Sequence, residues 1–117
     1  MATTVDVSIY ASTLLGITEA GPSGARKIVT RSKRDRGPKT QHLAFWPAEA
    51  GSLDMPELVG TTEEKPLGGD VASLHRVTQI DAERKRRNGS PWTEVHFWTE
   101  DDDHDGAPRL TLTVFSR

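Results

Sequence analysis

The chain contains no cysteine. That absence removes disulfide bridges, thiolate metal sites and cysteine nucleophiles together, and it fits a cytoplasmic protein. Long apolar runs are missing as well: no stretch approaches the ~18 residues that a membrane-spanning helix needs. The opening Met1-Ala2-Thr3-Thr4 lacks the basic region and apolar run of a secretory leader. Excess charge of either sign is also small. Fifteen Lys and Arg against seventeen Asp and Glu leave a net charge of −2 and a pI near 6.1. No bulk field therefore draws the chain to nucleic acid or anionic lipid. Catalytic signatures are wanting too. The histidines are His42, His75, His96 and His104, and none has the i, i+4 partner of a helical zinc site. Ser23, in Gly21-Pro22-Ser23-Gly24, has no nucleophile-elbow pattern around it, and no glycine-rich phosphate loop is present. The expectation is a protein without catalytic activity that calls for no cofactor.

What is present is alternation with frequent punctuation. At 117 residues the chain has the length of one domain. Hydrophobic residues make up 34%, enough for a modest core, and ten glycines and seven prolines favour many short elements over long helices. Val5, Val7 and Ile9 alternate with Asp6 and Ser8, the period of a half-buried strand. A second apolar group, Leu14, Leu15 and Ile17, runs toward the turn signal at Gly21-Pro22-Ser23-Gly24. Residues 25–32 and 41–46, the latter with Leu43 and Phe45 on one face, predict a hairpin whose tip carries Lys33, Arg34, Arg36 and Lys39. Between 47 and 70 the pattern dissolves among four glycines and three prolines. One helical turn at 54–59, capped by Asp54, is the only element expected there. Connections of this length are functional or mobile, and mobility is the expectation.

The segment 71–117 is the most regular. Asn88-Gly89 suits a two-residue type I′ turn, because both residues accept positive φ. That turn places Ile80 opposite Phe97 and Ala82 opposite Val95. A second turn within 100–108 then sets Phe97 against Leu110, Val95 against Leu112 and Thr93 against Val114. Three strands thus share one apolar face, and a slip of one residue would expose all of it, so the register is well specified. The opposite face carries Gln79, Trp98 and Arg109, then Asp81, His96 and Thr111, then Glu83, Glu94 and Thr113, and last Lys85, Trp92 and Phe115. Glu83 facing Glu94 sets like charges together, costing up to about 1 kcal/mol unless a cation such as Lys85 intervenes. The two turns lie roughly 25 Å apart at ~3.3 Å per residue. One is basic, with Arg84, Lys85, Arg86 and Arg87; the other is acidic, with five acids among residues 100–105.

Several constellations bear on function. Asp101, Asp103, Asp105 and Gly106 match the opening of a calcium loop, but the position that needs a bidentate Glu is Leu112, in an expected strand. Calcium is therefore not expected. His96 and Glu94 share a strand face, a pairing that acid–base chemistry can use but that chance also produces on any sheet. Basic turns with Trp92, His96 and Trp98 fit single-stranded nucleic acid, cations tracking phosphates while aromatic rings stack on bases. The acidic turn and negative total charge oppose that. Charge separated along one axis suits protein partners or head-to-tail self-association, where complementary fields raise the association rate and fix register.

The expected fold is all-β, with six or seven short antiparallel strands in a small barrel or two-layer sandwich, a three-stranded meander at 71–117 and at most one short helix in 47–70. The expected function is non-catalytic binding of a macromolecule. A protein partner or self-association ranks first and nucleic acid second. The expected binding residues are Arg34, Arg36, Lys39, Arg84, Lys85, Arg86, Arg87, Trp92, His96 and Trp98.

Overall fold

The computed structural model describes residues 4–9, 12–19, 24–32, 39–48, 56–63, 70–100 and 106–115. Seven strands form in chain order: β1 (Val5–Ile9), β2 (Ser12–Glu19), β3 (Arg26–Ser32), β4 (Lys39–Pro47), β5 (Asp70–Arg87), β6 (Ser90–Thr99) and β7 (Leu110–Phe115). They make one sheet in the order β1-β7-β6-β5-β4-β3-β2, and no helix occurs among the described residues. None is therefore long and apolar enough to cross a membrane. The all-β expectation holds.

The β5–β6–β7 meander has the register that its sequence dictates. Ile80 pairs with Phe97, Ala82 with Val95, and on the other side Phe97 pairs with Leu110 and Val95 with Leu112. Asn88 and Gly89 adopt φ of 51° and 79°, the left-handed values of a type I′ turn. Val95, Phe97, Leu112 and Val114 are fully buried. The β3–β4 hairpin also forms, pairing Ile28 with Leu43 and placing both in the same core as Phe45.

Two pairings are parallel rather than antiparallel: β1 with β7, and β4 with the first part of β5. Both follow from β5 and β7 each having a second edge to fill once the meander is made. A row of unpaired N–H and C=O groups recruits whichever strand can reach it. At β1 the attachment is reinforced by Thr4, whose hydroxyl donates to the Pro108 carbonyl at 2.7 Å.

Connectivity shows that the sheet is curled. β1 and β2 are its opposite edges, yet only residues 10 and 11 separate Ile9 from Ser12. At about 3.8 Å per Cα step, those strand ends lie within ~11 Å. A flat seven-stranded sheet would hold its edges roughly 29 Å apart. No ladder joins β1 to β2, so the curl is not closed. β5 supplies the corner. Asp70 to Val77 pairs with β4, and Val77 to Arg87 pairs with β6. Register shifts flank Val77 on both sides, with Arg76 at φ 57° in one of them. Such bulges bend and twist a strand. Its core residues consequently run Ala72, Leu74, Val77, Ile80 and Ala82, not every second position. Phe45 and Phe97, from the two strands beside β5, meet at 5.6 Å between ring centroids.

Residues 56–63 depart from the mobility expected of the 47–70 connection. Val59 is buried in the main core at 3% exposure. The Ile17 N–H donates to the Gly60 carbonyl at 2.8 Å, and the Thr62 N–H donates back to the Ile17 carbonyl at 3.1 Å. This segment thereby occupies the free edge of β2. Gly16 permits the approach: at φ 136°, an added Cβ would lie 2.6 Å from the Gly60 oxygen. In place of the expected helical turn, residues 56–59 make one tight turn closed by the Val59 N–H on the Pro56 carbonyl at 3.1 Å, without helix. Asp54 lies outside the described residues.

Candidate functional site

Strand alternation sends the side chains of the β5–β6 hairpin to two faces, and each face gathers a different chemistry. On the outer face Glu83 stands opposite Glu94, and His96 is the next residue along β6 on that side. Lys85 relieves the paired carboxylates as the register requires, its Nζ lying 3.3 Å from Glu94 Oε1 and 3.7 Å from Glu83 Oε2. The same two oxygens lie 3.5 and 3.8 Å from His96 Nε2. Two neighbours fix this arrangement from behind. Trp92 Nε1–H donates to Glu94 Oε2 at 2.8 Å, and His96 Nδ1 is 3.1 Å from the Thr111 hydroxyl. Burial pushes the Glu94 carboxyl upward, but the Trp92 indole, the Lys85 ammonium and His96 together outweigh it and hold the group below its ordinary value of 4.5.

The inner face of the same hairpin continues the layer of Ile80 and Ala82 outward into Arg84 and Arg86, opposite Thr93 and Pro91. Here, where apolar packing ends, Arg84, Arg86, Pro91, Trp92 and Thr93 line a cavity of about 240 Å³. Both arginines are exposed. No acidic residue occurs between 84 and 93, although Glu83 and Glu94 flank the stretch.

The basic run 84–87 is thus divided. Arg84 and Arg86 face the cavity, whereas Lys85 joins the carboxylate cluster with His96 and Trp92. Arg87 is exposed at the last rung before the turn, opposite Ser90. Trp98 is half-buried further along β6, with its Nε1–H on the Gly106 carbonyl at 3.0 Å and its ring 6.1 Å from that of His96. Trp92 likewise packs on Phe115 at 6.3 Å. Both indole N–H groups are therefore engaged within the fold. Lys39 is the first residue of β4. Arg34 and Arg36 lie outside the described residues, as do Asp101, Asp103 and Asp105.

A second polar group lies on the outer face of β3, β4 and β5, and nothing local in the sequence marks it. Asp70 Oδ1 receives Lys27 Nζ at 3.0 Å and lies 2.8 Å from Nε2 of the buried His42. Trp46 stacks on His75 at 4.4 Å and 7°. Both contacts depend on β4 pairing in parallel with β5, which joins residues far apart in the chain. His42 is 1% exposed, whereas Asp70 and Lys27 remain partly exposed.

The hairpin with its two unlike faces is the candidate site. No protein-family model, no curated protein and no solved structure matches this chain.

Proposed function

We propose that this chain is a non-catalytic binding domain whose ligand is a macromolecule, in the first place a protein, gripped by the basic end of the β5–β6 hairpin. The observation that carries the reading is the cavity of about 240 Å³ where the core layer runs out into Arg84, Arg86, Pro91, Trp92 and Thr93. Its size admits one or two side chains, and its charge selects carboxylates. An acidic loop or tail of a protein fits both. Guanidinium groups bind carboxylates in bidentate fashion, which adds orientation to attraction. The chain's own acidic stretch at 100–105 is one such segment, so self-association belongs to the same reading. A cytoplasmic setting, which the cysteine-free sequence fits, goes with it.

Nucleic acid remains the second reading on charge alone. Packing of the Trp92 ring on Phe115 and the carboxylates of Glu83 and Glu94 beside Trp92 count against base stacking on the outer face.

The test compares the full chain with the charge-reversed variant Arg84→Glu/Arg86→Glu. Light scattering over a concentration series detects self-association. Anisotropy with a labelled poly-glutamate peptide and with single-stranded oligonucleotides distinguishes the external ligands. Salt-sensitive association or peptide binding that the variant loses supports the proposal. A monomer that ignores the peptide refutes it, and binding confined to oligonucleotides moves the function to nucleic acid.

A further inference from the structure

We propose that Glu83, Glu94 and His96 form a site for one divalent transition-metal ion of the zinc class on the outer face of the hairpin. The inference is independent of the basic cavity on the inner face. One ligand atom from each of the three side chains falls within 4.8 Å of the others. Tetrahedral ligands ~2.0–2.1 Å from zinc stand ~3.4 Å apart. His96 Nε2 lies 3.5 Å from Glu94 Oε1 and 3.8 Å from Glu83 Oε2, so the imidazole stands close to ligand spacing from both carboxylates.

The Glu94 and His96 atoms that face the common point are those not used by Trp92 and Thr111. Glu94 Oε2 is held by Trp92 Nε1, which leaves Oε1 for the ion. His96 Nδ1 lies 3.1 Å from Thr111 Oγ1, and in the tautomer that donates to this hydroxyl Nε2 presents its lone pair to an ion shared with the two carboxylates. Metal-ligating histidines ordinarily have their second nitrogen fixed by a neighbour in this way, which sets ring orientation and tautomer. One imidazole with two carboxylates suits zinc and neighbouring transition metals. Calcium, which takes six to eight oxygens, is poorly served. The three ligands come from adjacent rungs of two paired strands, so the sheet preorganises them.

Lys85 supplies the positive charge when no ion is bound. Its Nζ contacts the same Glu83 Oε2 and Glu94 Oε1 that the ion would use. Its side chain is 41% exposed, so the ammonium can swing into water on a flexible stem. Metal entry and Lys85 withdrawal are then one exchange, and the lysine lowers the apparent affinity.

The experiment is calorimetric titration of the full chain with zinc, together with visible absorption of the cobalt complex as a reporter of tetrahedral geometry. One ion per chain and a tetrahedral cobalt spectrum are expected. His96→Ala and Glu94→Gln each weaken binding roughly tenfold or more, whereas Lys85→Met strengthens it several-fold. The lysine variant guards against misfolding, because a damaged fold does not tighten a site. His104→Ala, in the acidic stretch, leaves affinity unchanged. Failure of both the native chain and Lys85→Met to bind zinc at millimolar concentration overturns the proposal. So does binding that survives loss of His96 or disappears with His104.

Discussion

At the scale of single residues, Gly16 carries the clearest constraint. Its φ of 136° and the 2.6 Å between a built Cβ and the Gly60 oxygen leave no room for any side chain. Gly16→Ala should cost about 2 kcal/mol or more, as backbone strain and a main-chain clash act together. Urea denaturation measures it. Glu94 gives a pH signature. A carboxyl lowered in the folded state adds stability at pH above its ordinary value of 4.5, and that stability disappears as acid takes the pH through the lowered value. Metal-free Glu94→Gln should therefore be less stable than the native chain at pH 7 and converge with it in acid. A gap that is constant with pH would assign the loss to packing instead. The neighbours that lower this group follow from the sequence alone, because strand alternation and the register at Asn88-Gly89 dictate that Trp92, Lys85 and His96 surround Glu94. The Thr111 contact at His96 Nδ1 needed side-chain rotamers, which alternation does not specify.

At the scale of elements, the β5–β6–β7 meander was legible, and for a physical reason. A tight turn fixes where two strands begin to pair, and a period of two then settles every later rung. Nothing equivalent announces a parallel partner. β4 meets β5, and β1 meets β7, through connections that leave no local mark, so Asp70, His42, Trp46 and His75 came together unannounced. The same blindness applied to residues 56–63. Gly60 and Pro56 read as loop residues, yet Val59 has a place in the core and the Gly60 carbonyl has a waiting donor on an edge strand. Val59→Ala should cost roughly 1.5–2 kcal/mol from two lost methyl groups. Hydrogen exchange should quicken selectively at the Ile17 and Thr62 amides while Val95 and Leu112 stay protected. Uniform acceleration would mean that the segment is part of the global core rather than a separately docked strap.

At the scale of the whole molecule, one layer of side chains holds two halves of a bent sheet together, and Phe45 against Phe97 is its centre. Phe97→Ala should cost about 3–5 kcal/mol and lower both halves together in a single transition. Two separated transitions would show that the corner at Val77 divides the sheet into independent units. The outermost rungs behave differently. Arg84→Glu/Arg86→Glu lies beyond the apolar layer and should leave the melting temperature nearly unchanged while altering association.

Val5 pairs with Leu110, Val7 with Leu112 and Ile9 with Val114, so the first strand rests on the last. While the chain emerges from the ribosome, β1 has nothing to hold until β7 follows, and it must wait through the synthesis of everything between. Folding therefore finishes after translation of this region, not during it, and the rate of that final step is governed by closing a loop nearly as long as the chain.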